Sequence, residues 1–321
     1  MNKIAMFDLV QNELAMVEKE LFAVIHSPVS LITDIGDHLV EAGGKRLRPA
    51  LYLLCAHSAK RPVEEVLPMA VALELIHMAT LVHDDVIDNS VTRRGKITAN
   101  ARWGNQVSVL SGDYLFAKAF FTVASVGKNM MKVLTNTICV LCEGEVVQIQ
   151  SMFNVLENEA DYIKRIAKKT ADFIAASCQL GGMAGCFSDQ DVQALYRYGY
   201  SLGVAFQITD DIFDFTASQK QVGKPVGNDL RQGILTLPAI RAMQDDKYGR
   251  ELRDIILSKD MSESNMERAL AMIHATDAIE YSYKRAEDFL SDARTIVPQI
   301  LDEKVREALV QISDFVGLRK Y

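Results

Sequence analysis

The chain has 321 residues, with 35 Lys and Arg against 42 Asp and Glu and a formal net charge of −7. Apolar residues make up 49% and charged residues 24%, the balance of a folded globular chain, so disorder is excluded for the whole and a large core is within reach. The acidic total and a pI of about 5.5 argue against a nucleic-acid binder, whose footprint is basic.

The first twenty residues, MNKIAMFDLVQNELAMVEKE, bring acids too early for a secretory signal and offer no small-residue cleavage site. No apolar run approaches the roughly 18–20 residues a membrane helix needs, so a cytoplasmic chain is expected. Breaks are expected at HSPVS, at AGGKRLRP, at AKRPVEE, around Arg93 to Gly104, at SVGKN, and in the Gly-rich run from Gly223 to Gly233. No proline lies between Pro68 and Pro225. Interior proline costs a helix about 3 kcal/mol, so this stretch suits long helices. In MAVALELIHMATLVHDDVID, Leu73, Ile76, His77, Thr80, Leu81, Asp84 and Asp88 recur at steps of three and four, the period of a one-faced helix. LYRYGYSLGVAFQITDDIFDF has the same period, and strand alternation with hairpin turns is absent. The breaks are too short to be interdomain linkers. One all-α domain over residues 1–321 is expected, a large helical bundle. The five cysteines read as reduced thiols; Cys139 and Cys142 form a lone C-x-x-C, two small residues one helical turn apart and not half of a zinc site.

Two segments share the form D-D-x-x-D: Asp84-Asp85-Val86-Ile87-Asp88 and Asp210-Asp211-Ile212-Phe213-Asp214. On a helix the first and third aspartates lie about 40° apart and the middle one about 100° from the first, so all three share a side. Gln207 joins the second face and His77 the first. Three carboxylates on one face repel one another unless cations compensate, and an unpaired buried carboxylate is costly. Two such faces across a cavity suit a hard cation: Mg²⁺ takes oxygen ligands and is held by a few carboxylates plus substrate phosphates. Basic groups stand where a diphosphate would need them: Arg93 and Arg94 after Asp88, Lys168-Lys169-Thr170 between the clusters, and Lys224 after Asp214. Gly43-Gly44-Lys45-Arg46-Leu47-Arg48-Pro49 combines glycines, cations and a helix start opened by Pro49, an anion site that is not a Walker loop. His83 beside Asp84 leaves open a different all-α class, the HD metal phosphohydrolases, although these need histidine ligands and leave the twin clusters unexplained.

GGKRLRP, ELIHMATLVHDDVIDNSVTRRG, KKT, FQITDDIFDF and GKPVGNDLRQGILTLP follow in order from Gly43 to Pro238. Together they resemble the trans-type polyprenyl diphosphate synthases. The resemblance implies an all-α bundle around a central cavity that extends an allylic prenyl diphosphate with isopentenyl diphosphate and releases pyrophosphate. It implies two or three Mg²⁺ per site held mainly by Asp84, Asp88 and Asp210, with Asp85, Asp211 and Asp214 completing the clusters directly or through water. Arg93, Lys169, Thr170, Gln207 and Lys224 would hold the allylic substrate; Lys45, Arg48, His77 and Arg94 would hold isopentenyl diphosphate. Backbone carbonyls near Lys169 and Thr170 and the Gln207 oxygen would steady the carbocation. Terpene cyclases of the same bundle type are the nearer alternative, but the second cluster has the transferase form and Lys45 and Arg48 would lack a role. A homodimer is expected, or a catalytic subunit paired with a small partner. For product length, the family places large aromatics just before the first cluster in its short-chain members. Here the fifth and fourth residues before Asp84 are Ala79 and Thr80, both small, which implies a long product of C30 to C40. The helical wheel puts Thr80 within about 40° of Asp84 and Ala79 about 140° away. Phe116 and Phe120 are candidates for the far wall or floor of the tunnel.

Overall fold

A computed structural model describes residues 5–216 and 226–317. The fold is all-α, as expected; among the described residues the strands are limited to a two-residue hairpin, Thr92–Arg93 paired antiparallel with Lys96–Ile97. Contacts group the chain into two compact units, where sequence analysis treats it as one domain. One holds residues 5–133, 177–192 and 299–305; the other holds 134–176, 193–216, 226–298 and 306–317.

In the first unit the helices are Gln11–Ile25, Ser30–Glu41, Leu47–His57, Val63–Ile87, Ala99–Trp103 and Asn105–Thr122. The expected breaks fall at their ends, except that the one around Arg93 to Gly104 holds the hairpin and the short helix Ala99–Trp103. Pro49 is the third residue of its helix rather than the first, because the left-handed Arg46 (φ 48°) ends the preceding loop and Leu47 opens the helix. Val63–Ile87 departs from the one-faced reading. Its buried residues include Val66, Ala70, Leu73, Glu74, Leu75, Ile76, Ala79 and Val82, which cover every side, the pattern of a helix enclosed by neighbours. Leu47–His57, Gln11–Ile25 and Asn105–Thr122 pack against it. By length and composition this helix could also cross a membrane, contrary to the sequence expectation, but 72% of its most apolar window is buried inside the protein.

The second unit is built on the helices Lys128–Gln150 (from residue 134), Glu159–Ile166, Asp189–Thr216 (from residue 193), Leu237–Ala242, Gly249–Ser258, Glu263–His274, Ala278–Ile296 and Glu303–Gly317 (from residue 306). Its core gathers Tyr162, Ile166, Val204, Ile208, Ile212 and Phe215 with Leu235, Leu252 and Ile273. Residues 167–171 form one π-helical turn between Glu159–Ile166 and Asp172–Ala184. Such single turns recur at functional sites because they shift the register of the side chains that follow. Gly144 lies against it: a Cβ there would stand 2.9 Å from the Lys169 amide nitrogen. The pair Cys139 and Cys142 is exposed on the Lys128–Gln150 helix, and all five cysteines are free thiols.

Candidate active site

In the first unit the cationic loop and the first aspartate cluster are held by short, specific bonds. Gly43 takes φ +68°, a conformation side chains disfavour. The guanidinium of Arg94 donates to the Gly43 carbonyl and crosses Gly44 so closely that a Cβ would meet its Nη1 at 2.6 Å. The loop that carries Arg93 and Arg94 is tied down on both sides. His38 bonds the Ile97 carbonyl at 2.8 Å, and Thr98 Oγ1 donates to the Ser90 carbonyl at 2.7 Å.

Sequence analysis groups Arg46 with the anion-binding cations, but the fold uses it otherwise. Arg46 is 6% exposed and donates to Glu74 at 2.7 Å and to Glu18 at 2.5 Å. Burial pulls the Arg48 guanidinium down to about 10, with Arg94 pushing the same way and Glu74 and Asp84 opposing. His77 is partly exposed; burial first, then Arg48, Arg94, Arg93 and Arg46, hold its ring well below the usual histidine range. The fold therefore brings Arg48, His77 and Arg94 within mutual electrostatic reach. His77 is neutral at pH 7, and the positive charge is carried by the arginines.

The first cluster is not three equivalent ligands. Asp85 is buried and accepts from Arg93 Nε at 2.8 Å; Asn100 Nδ2 donates to its backbone carbonyl at 3.1 Å. Asp84 is half-buried and Asp88, the residue ending the helix, is exposed. Arg93, expected on the allylic diphosphate, thus begins as the partner of Asp85. Ala79 is fully buried, and Thr80 is buried with Oγ1 donating to the His77 carbonyl at 2.8 Å. Phe116 lies beside His83, ring centroids 5.8 Å apart. Phe120 is half-buried one turn on.

The second cluster, in the second unit, follows the same division. Asp210 is exposed and Asp211 is buried. Asp211 accepts from the Tyr162 hydroxyl and from Gln207 Nε2, each at 2.7 Å. Burial, helped by Asp229, pushes its carboxyl up to about 7. Gln207 Oε1 in turn accepts from Thr170 Oγ1 at 2.7 Å. Asp214 accepts from the backbone N–H groups of Asn228 at 3.1 Å and Asp229 at 3.0 Å, and so caps the Asn228–Arg231 turn. Lys169 pairs with Glu145 at 3.0 Å and Lys168 with Glu143 at 2.7 Å. Lys224 lies outside the described residues. Sequence reasoning missed Tyr162, fully buried on the helix before KKT, and Arg165, which is 3% exposed and pairs with Glu157 at 2.9 Å. The only signal for either is a polar residue in an otherwise apolar helical period.

Among the described residues no group of three or more His, Cys, Asp or Glu stands close enough to hold a metal by itself. The donors at hand are hard carboxylate oxygens without histidine or cysteine. That set fits Mg²⁺ completed by phosphate oxygens and does not fit zinc.

An all-α fold that carries two D-D-x-x-D motifs and an arginine-rich loop has the features of the isoprenoid synthase type. The comparisons give the family. The polyprenyl synthetase model matches residues 29–273, and the chain belongs to that family. It is 40% identical over 318 residues to heptaprenyl diphosphate synthase component 2 of Geobacillus stearothermophilus, covering 99% of both chains. It is 34% identical to octaprenyl diphosphate synthase of Escherichia coli, covering 98% of both. A crystal structure of heptaprenyl diphosphate synthase from Staphylococcus aureus superposes with a TM-score of 0.92 at 33% identity, covering 97% of this chain and 99% of that one.

Proposed function

We propose that the chain is a long-chain trans-prenyltransferase. It extends an allylic diphosphate with isopentenyl diphosphate to a C30 to C40 product, both units working as one catalytic domain in the cytoplasm. The observation that carries the reading is the division of labour within each aspartate motif: a buried, anchored middle carboxylate beside a more exposed first one. Asp84, Asp88 and Asp210 would hold Mg²⁺. When bound, the ion would stabilise charge on the departing pyrophosphate. Lys45, Arg48 and Arg94 would bind the isopentenyl diphosphate, with neutral His77 as a hydrogen-bonding partner. Lys169 would leave Glu145, and Arg93 would turn from Asp85, to meet the allylic diphosphate. Lys224 is proposed for the same diphosphate from its place in the motif. The carbonyls of the π-turn and the Gln207 oxygen would face the positive charge on the allylic carbon. Pyrophosphate itself is the proposed base, so no covalent nucleophile is required.

The small side chains of Ala79 and Thr80 before the first cluster support a path for the growing tail. For the quaternary state, Val146, Val147 and Ile149 are exposed on the Lys128–Gln150 helix, which supports a homodimer. The component 2 name of the Geobacillus relative supports the alternative, a catalytic subunit paired with a smaller chain. The test is incubation with isopentenyl diphosphate, an allylic diphosphate and Mg²⁺, then chromatography of the dephosphorylated products. A ladder ending at C30 to C40 is expected; hydrolysis or cyclisation without elongation would sink the reading.

A further inference from the structure

Glu143, Gly144 and Glu145 on the Lys128–Gln150 helix clasp Lys168 and Lys169 of the π-turn. The clasp needs a glycine at its centre. A Cβ at Gly144 would stand 2.9 Å from the Lys168 Cβ and 2.9 Å from the Lys169 amide nitrogen. The residues before and after a helical position lie about 100° to either side of it, so the two carboxylates flank the line of contact. The two ion pairs share a chemistry and differ in surroundings. Lys168 meets Glu143 at 2.7 Å, with side chains 39% and 60% exposed. Lys169 Nζ stands 3.0 Å from Glu145 Oε1 and 3.1 Å from Oε2, with side chains 27% and 14% exposed. The first is a surface pair of little energetic weight. The second is held by both carboxylate oxygens, with less water to weaken the attraction.

We infer that Glu145 is a positioning residue that competes with the diphosphate for Lys169. The inference rests on the prenyltransferase reading, in which Lys169 meets the allylic diphosphate, and deepens it. The lysine is open to a ligand only in the fraction of molecules whose Lys169–Glu145 pair has parted, and apparent affinity falls by that fraction. Glu145 therefore weakens the hold on the allylic diphosphate. It weakens equally the hold on the pyrophosphate that ionisation leaves in the same place. The gain is in release. Each elongation ends with pyrophosphate on the allylic side, and the next cannot begin until it departs. Glu145 takes the lysine back as the anion leaves, so the departing group does not abandon an unpaired cation. Glu143 acts on Lys168 at the surface and has no such part.

Glu145→Gln keeps the shape of the side chain and removes its charge. The ligands are a thiolo-diphosphate analogue of the allylic substrate, which does not ionise, then inorganic pyrophosphate, and isopentenyl diphosphate. Each is titrated into the full chain with Mg²⁺. Glu145→Gln should tighten the analogue and pyrophosphate by about threefold or more, since its pair is more buried than an exposed one, and leave isopentenyl diphosphate within about twofold. Pyrophosphate should inhibit turnover at a correspondingly lower concentration. A gain confined to one of two diphosphates is not an effect of a damaged fold. Glu143→Gln should leave all three ligands within about twofold. In a Lys169→Met background Glu145→Gln should bring no gain, as expected of two residues that act through one contact. An equal gain there would mean that the carboxylate merely repels the ligand, and would overturn the inference. Unchanged or weaker binding in Glu145→Gln would overturn it too, by making Glu145 a support of Lys169 and not its rival. If Glu145→Gln does not fold, Glu145→Asp, which shortens the reach by one methylene, decides by the same signs. A wild type inert towards prenyl diphosphates would sink the prenyltransferase reading alone. Pyrophosphate titration then decides the inference: tighter binding in Glu145→Gln upholds it, and unchanged binding overturns it.

Discussion

Arg46 sits in the middle of GGKRLRP, yet its loss is expected to show first as instability. Arg46→Met keeps the apolar stem and removes the guanidinium. Glu74, 2% exposed, then keeps a carboxylate with its arginine partner gone. Breaking one side of a buried pair costs about 3–5 kcal/mol, because the remaining charge stays desolvated. Glu18 is 38% exposed at its side chain and can return to water, so its share is roughly 0–1 kcal/mol. The lost bond from Arg46 Nη2 to the Val40 carbonyl, at 3.2 Å, adds about 1 kcal/mol at most. Relaxation around Glu74 pulls the total back to about 3–5 kcal/mol, which lowers Tm by on the order of 10 °C in a domain of this size. The assay is thermal unfolding at fixed scan rate, supported by urea titration. One further result must follow: Arg46→Met, Glu74→Gln should recover much of the loss, since a neutral amide is cheaper to bury. A single mutant within 1 kcal/mol of wild type, or a double mutant no better than the single, would refute the reasoning.

Asp84→Ala and Asp210→Ala should each lower turnover by roughly a hundredfold or more, the scale of lost leaving-group stabilisation, with Tm within about 2 °C of wild type; activity assay and melting curve together check this. Lys45→Ala and Arg48→Ala should raise the KM for isopentenyl diphosphate more than that for the allylic substrate, since on the proposed reading each would contribute charge-assisted bonds to one diphosphate. His77 is neutral in the folded state with its pKa depressed by burial and arginines. Its stabilising contribution is present above the unfolded value of about 6.5 and is lost as pH falls towards the folded value; His77→Gln should flatten the decline of Tm between pH 7 and pH 5. Ala79→Phe and Thr80→Phe should shorten the product by one isoprene unit or more, and because Ala79 is fully buried the first should also cost about 1–3 kcal/mol through overpacking. Product chromatography with a melting curve separates the two effects.

Much of this was legible in the sequence because spacing is geometry. The proline-free stretch, the three- and four-residue period and the short breaks lead to an all-α chain, and D-D-x-x-D puts its outer aspartates on one side. What spacing does not carry is which side of a helix its neighbours cover. Val63–Ile87 has the period of a one-faced helix, but it is enclosed, so Glu74 and Ala79 are buried as well as Leu73. Arg46 and Arg48 are two residues apart in one motif, and nothing in that spacing shows that Arg46, at a left-handed turn, goes into a buried pair with Glu74. The π-turn at 167–171 has no compositional mark, since it differs from the α-helix by one hydrogen-bond register. Tyr162 is eight residues before Thr170 and meets the site only through Asp211, a contact 49 positions away in the chain.

The two aspartate motifs solve one electrostatic problem in the same way. Three carboxylates within one and a half helical turns repel one another, and a motif that exposed all three would depend on metal for its stability. In both clusters the middle residue is withdrawn into the protein. Asp85 is neutralised by Arg93, and Asp211 is held by Tyr162 and Gln207 with its carboxyl pushed up to about 7. In the second cluster Asp214 is also engaged, by two backbone N–H groups at a helix start, where a carboxylate is favoured. Asp88 and Asp210 are exposed, and Asp84 is half-buried. Magnesium rarely takes a full cage of protein ligands and retains waters and phosphate oxygens. A sparse carboxylate set therefore binds the ion well only when a diphosphate is present. On the proposed reading the consecutive aspartates would not be redundant ligands: the first of each pair would meet the metal, and the second would fix the helix that presents it.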